Sequence, residues 1–175
     1  MRGHPLRVVS KICLMVALLG LALPTTTASA SASASASAQT IHRRTAVLGL
    51  SGTLLFTGPE PVDVTGSIRI TVVTRTEPGG GGTAQITSQL RNTTGVGQDS
   101  GGLYHFVGTD NNVVEYPPGP ISPLAVFPTF LKIYPPDPIL PPHPIQPVRV
   151  LTTIDQDGTI DNITAEISNF EPDNP

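Results

Sequence analysis

Val62-Asp63-Val64-Thr65-Gly66-Ser67-Ile68-Arg69-Ile70-Thr71-Val72-Val73-Thr74-Arg75-Thr76 puts Val62, Val64, Ile68, Ile70 and Val72 on one side. Asp63, Thr65, Ser67, Arg69, Thr71 and Arg75 fall on the other. A period of two held this long, and rich in β-branched residues, belongs to a half-buried antiparallel strand. Gly66 interrupts the apolar side and predicts a bend or bulge. This one stretch sets the class, and the segments around it read as further strands.

Toward the N-terminus, Leu48, Leu50, Leu54 and Phe56 share a face, and Gly58-Pro59-Glu60-Pro61 predicts a turn. Toward the C-terminus, residues 77–82 contain Pro78 and four consecutive glycines. A phosphate-cradling loop needs a following helix and usually a lysine, and neither follows. Ala84, Ile86, Ser88 and Leu90 then alternate with Gln85, Thr87, Gln89 and Arg91. Residues 92–102 hold four glycines in eleven and read as a central loop. A strand apolar on both faces follows from Leu103 to Gly108, then a turn at Asp110-Asn111-Asn112.

Twelve of the nineteen prolines lie in residues 117–147. Proline donates no ladder hydrogen bond, so this segment is expected to be a long proline-rich loop covering a sheet edge. A short edge strand is expected within it, containing Phe130, Leu131, Ile133 and Tyr134. The final hairpin is clear. Val148, Val150, Thr152 and Ile154 alternate, Asp155-Gln156-Asp157-Gly158 turns the chain, and Ile163, Ala165 and Ile167 return. No helical period appears in residues 45–170. The fold class expected there is all-β, a single antiparallel β-barrel or β-sandwich of seven to eight strands.

The first 27 residues read as a secretory signal peptide. Arg2, Arg7 and Lys11 precede an apolar run from 12 to 23, Pro24 ends it, and small residues follow. Twelve apolar residues make a helix of about 18 Å, short of the roughly 30 Å hydrocarbon core. No transmembrane anchor is therefore expected in the mature chain. Residues 28–44 read as a Ser/Ala-rich disordered spacer, with cleavage expected within 28–38, and residues 171–175 as a polar tail. The chain is thus expected to be secreted.

Removing residues 1–38 leaves 137 residues with seven cations against thirteen acids, a net charge of −6. Nucleic acid is not expected as a partner, since its ligands need a basic footprint. Cys13 is the only cysteine and lies in the leader. The mature chain then has no thiol nucleophile and no disulfide, and packing alone must hold it.

Candidate chemistry is sparse. Asp155, Asp157, Asp161 and Asn162 offer oxygens for calcium, but glycine and acid positions depart from an EF-type loop and no helices flank it. His105 lies near Asp99, Ser100 and Asp110 in sequence, without a nucleophile elbow or other local signature. His42 and His143 lack zinc-ligand spacing. Asn92-Thr93-Thr94 and Asn162-Ile163-Thr164 match the N-glycosylation acceptor pattern. No catalytic residue, metal site or cofactor is expected. Loops on a rigid scaffold commonly carry binding, so Tyr104, Tyr116 and Tyr134, beside the 92–102 loop and the ends of the proline segment, are the candidate ligand-binding residues.

Ser51-Gly52-Thr53-Leu54, Val64-Thr65-Gly66-Ser67-Ile68 and Asn92-Thr93-Thr94-Gly95-Val96-Gly97, with Ser100-Gly101 and Tyr104, resemble a pattern in small exported bacterial proteins of unassigned function. The resemblance spans roughly residues 49–108 and implies secretion and an all-β fold, with no activity attached. The function expected from the sequence is a secreted non-catalytic β domain that binds an extracellular partner or serves at a surface. One alternative is a β-barrel carrying a small apolar ligand. Another is a secreted hydrolase using His105.

Overall fold

A computed structural model of the chain describes residues 39–55, 59–134 and 141–169. The leader, the cleavage zone, most of the spacer, Phe56 and the polar tail lie outside them. The described residues form ten strands and no helix. These are β1 (Thr40–Leu54), β2 (Val62–Thr76), β3 (Gly82–Gly97), β4 (Leu103–Val107) and β5 (Thr109–Tyr116), followed by β6 (Ile121–Val126), β7 (Phe130–Ile133), β8 (His143–Ile145), β9 (Val148–Asp155) and β10 (Ile160–Ile167). The expectation of seven to eight strands is thus too low. The first strand also begins at Thr40, paired with Thr76, so residues placed in the spacer belong to the sheet.

All pairings are antiparallel. The larger sheet runs β1-β2-β3-β4-β7-β8, with β5 also paired to β3, and the smaller runs β10-β9-β6. Among the described residues no closed barrel forms. β10 does lie along β1 without a ladder between them. The Arg44 guanidinium bridges the edges instead, donating to the carbonyls of Ile160, at 2.8 Å, and Asp161. One buried cluster draws on both sheets: Leu54, Ile68, Ile70, Ile86 and Phe106 from the larger, Val126, Val150 and Ile163 from the smaller. The period of two read in β2 is the period of burial, since Val62, Val64, Ile68, Ile70 and Val72 are all buried.

The proline-rich segment is not one long loop among the described residues. It supplies β6, β7 and β8, while residues 135–140 lie outside the description. The sheet tolerates these prolines because β6 and β8 are terminal strands of their sheets, where a missing N–H costs no ladder bond on the open side. Pro123 in β6 and Pro144 in β8 both occupy exposed positions. The strand expected around Phe130 is present as β7, but it is interior, held between β4 and β8.

The central loop is also shorter than its glycines suggest. β3 continues to Gly97, leaving residues 98–102 as the connection. The irregularity sits inside β3. Thr65 pairs with Thr94 but Ser67 with Arg91, and Thr93 pairs with Phe106 but Gln89 with Thr109. β3 therefore carries one residue more than both neighbours, a β-bulge at Asn92, whose φ is +48°. The bulge folds over Gly66, where an added Cβ would lie 2.5 Å from the Thr93 Cα. Gly66 thus marks the bulge from the opposite strand. Gly66→Ala is expected to destabilise the domain by about 1–3 kcal/mol, the usual cost of overpacking. A melting temperature equal to that of the parent would remove this account.

Candidate functional site

The connection 98–102 is seated on a polar cluster that the sequence did not reveal. Glu60, which lies just before β2, is 7 % exposed. Its Oε2 accepts the backbone N–H groups of Asp99 and Ser100 at 2.9 and 2.8 Å. Its Oε1 accepts the Ser100 hydroxyl at 2.5 Å and the Tyr104 phenol at 2.7 Å. Gly97 allows this seat, because any Cβ there would collide with the Glu60 carboxylate. The Ser100 hydroxyl, then the Tyr104 hydroxyl and the two amides, hold the carboxyl well below its ordinary range, at about 2.

Lys132 closes the cluster from β7. It is fully buried, with its ammonium 5.0 Å from the Tyr104 ring centre and 4.7 Å from that of Tyr134. Burial pulls its pKa down and the charge of Glu60 opposes this. Burial, followed by the bond to Glu60 and that carboxylate's charge, pushes the Tyr104 phenol up to about 12. Tyr104 and Tyr134 meet edge to face, with centroids 5.9 Å apart. The carboxylate and ammonium charges therefore oppose one another in place, and the neutral phenol donates to the carboxylate. The carboxylate's acceptor positions are taken by four donors, which suits it to fixing a loop rather than accepting a substrate proton.

The three candidate tyrosines do not converge. Tyr104 and Tyr134 share the cluster, with Tyr104 buried and Tyr134 half-buried. Tyr116 is buried at the far end of the larger sheet, roughly 40 Å away at about 3.3 Å per residue. There its hydroxyl lies 2.7 Å from that of Thr76. Thr76 also donates to the Asp157 carbonyl at 3.2 Å, and Thr74 to the Gly158 carbonyl at 2.6 Å. These bonds tie β2 to the β9–β10 turn. Asp157 in that turn accepts the backbone N–H and hydroxyl of Thr159, each at 3.0 Å, a turn cap that holds its carboxyl below the ordinary range.

His105 points outward from β4 and makes no hydrogen bond with Asp99, Ser100 or Asp110. Ser100 is committed to Glu60, while Asp110 accepts the N–H groups of Asn111 and Thr129, each at 2.8 Å. Among the described residues these side chains are therefore engaged away from His105. Between the sheets, the gap lined by Leu50, Val64, Leu90 and Phe106 is too tight to admit water.

Among the described residues nothing covers the outer face of the larger sheet, and that face has two halves. Beyond the bulge, Val96, Leu103, Val107, Leu131 and Ile133 surround His105, each between 38 % and 48 % exposed. Before the bulge the surface carries four arginines and a set of hydroxyls and amides, with Ile41, Val47 and Val113 exposed among them. Thr45 and Thr71 lie 3.1 Å apart, and Asn111 accepts from Gln85 at 3.1 Å and Thr87 at 3.0 Å. Arg43, Arg69, Thr71, Thr87, Gln89 and Thr109 line a shallow open depression of about 290 Å³. Among the described residues no helix is long and apolar enough to cross a membrane. No family model matches this chain, and neither a curated protein nor a solved structure matches it.

Proposed function

We propose that this chain is an exported, non-catalytic β domain that acts by binding, with the outer face of the larger sheet as its contact surface. Its two sheets over one core are read as a β-sandwich. The observation that carries the reading is a contrast. The titratable cluster beneath the 98–102 connection is internally satisfied, whereas the outer face presents arginines, hydroxyls and aliphatic groups with no covering element among the described residues. Binding surfaces have this character, while reacting sites gather perturbed groups around an open position. The basic start and apolar run of the leader support export.

The test is turnover. The secreted protein, offered ester, glycoside, phosphate and peptide substrates, is expected to convert none of them. Conversion that His105→Ala or Ser100→Ala abolishes, with the fold intact, would overturn the reading.

A further inference from the structure

We propose that the arginine-bearing half of the outer face binds a linear polysaccharide carrying carboxylates. This rests on the reading of the domain as a binding module and adds the class of ligand. The argument starts from where the cations are. Residues 39–175 contain seven, against thirteen acids. Arg44 is bonded to β10, Lys132 is buried, and Arg149 pairs with Glu166 at 3.5 Å. The other four, Arg43, Arg69, Arg75 and Arg91, are all exposed on the outer face of β1, β2 and β3. None has an ion pair or a side-chain hydrogen bond among the described residues. A chain with an acidic balance has therefore gathered its unengaged cations on one surface.

Their arrangement is linear. Arg43 lies opposite Val73, and Arg91 opposite Ser67. Projected onto β2, the four guanidiniums follow one another at positions 75, 73, 69 and 67. That is a track of roughly 26 Å along the strands and about 10 Å wide, at 3.3 Å per residue and 4.8 Å per strand. Acids bound it: Glu77 follows Arg75 in the turn, Glu115 lies on β5 opposite Thr83, and Asp63 lies at the other end, its carboxyl bonded to Thr53 and Gln98.

The ligand follows from the groups between the arginines. Guanidinium forks match carboxylates in charge and geometry. Threonine hydroxyls and the Gln89 amide beside Arg43 and Arg69 both donate and accept, as a hydroxyl-rich polymer requires. The track carries no aromatic side chain on which bases of a single strand would stack. The acids around it oppose the denser charge of a duplex. The surface is open and shallow, suited to an extended chain rather than an enclosed small molecule.

The secreted protein should be tested by affinity electrophoresis in gels containing polygalacturonate, with neutral dextran, a sulfated glycan and duplex DNA as parallel arms. Retardation by polygalacturonate that weakens with salt is expected, with none by dextran. Arg43→Gln with Arg69→Gln should weaken it at least about tenfold at unchanged melting temperature, since each charged hydrogen bond is worth more than a neutral one. Leu103→Asp, on the apolar half, should leave it unchanged. Equal retardation of the double variant, stronger retardation by DNA or by the sulfated glycan, or no retardation at all would overturn the proposal. Retardation lost in Leu103→Asp but kept in the arginine variant would overturn it while leaving a binding domain in place. Cleavage of the polymer would instead remove the reading on which it rests.

Discussion

A Phe130→Ala variant is expected to lose about 3–5 kcal/mol of folding stability, the range for deleting a buried aromatic ring. Phe130 is 1 % exposed and lies in the cluster that also contains Tyr104, Phe106 and Ile145. It holds β7 to the core, and β7 joins β4 to β8. β7 is thereby an interior strand of the larger sheet and not a flap at its edge. The loss should therefore be global rather than confined to a surface flap. In thermal denaturation the expected drop is on the order of 10 °C or more for a domain of this size. A drop of only a degree or two, with the midpoint otherwise sharp, would show that β7 is dispensable.

The second large effect concerns Glu60. Its carboxyl ordinarily titrates near 4.5 and is held at about 2 in the fold. The unfolded chain takes up that proton first, so the stabilisation is complete above about 4.5 and drains away as pH falls toward 2. Glu60→Gln should flatten the stability profile across that window. It should also lower stability at neutral pH, because the two amides, the Ser100 hydroxyl and the Tyr104 phenol then lose their anionic acceptor. Gly97→Ala is expected to reach the same outcome sterically, by obstructing the seat of the carboxylate. Chemical denaturation between pH 2 and 7 checks this. If the parent and Glu60→Gln lose stability in parallel, the cluster does not govern the acid limb.

Much of the scaffold was legible because it obeys a period of two. β2, the first part of β3 and β9 bury the residues that alternation picks out, and β10 turns Ile163, Ala165 and Ile167 toward the core with the last two half-buried. The second part of β3 was not legible, since its inward residues include Gly95 and Gly97, which carry no apolar side chain to register. Their reason is space, for Val62 and Phe106 at Gly95 and for Glu60 at Gly97. In β7, hydropathy favours Leu131 and Ile133 as the inward pair. The fold buries Phe130 and Lys132 instead, because a carboxylate and two tyrosine rings compensate the lysine. Glu60 stood in a sequence of turn residues, with nothing local to predict that a connection almost forty residues later would supply its donors. The arginine track is spread over three strands, so it emerges only when their register is known.

The extra residue at Asn92 acts as a reading-frame shift for the sheet. Upstream of it the even-numbered residues of β3 face inward, and downstream the odd-numbered ones do, while β2 and β4 keep a single parity throughout. The same inserted position thereby decides that Gln89 and Arg91 meet solvent on one side, and that Thr94 and Val96 do so on the other. Threaded into a regular ladder without the bulge, Asn92 would turn inward, and with it Val96 would swing in against Glu60 and Gly97 would turn out, exchanging lining for surface along the whole end of the strand. Deleting Asn92 itself would remove the bulge and leave Thr93 to Gly97 on their present faces, so it is the bulge, and not the length of the strand, that sets the face on which the later sequence is written.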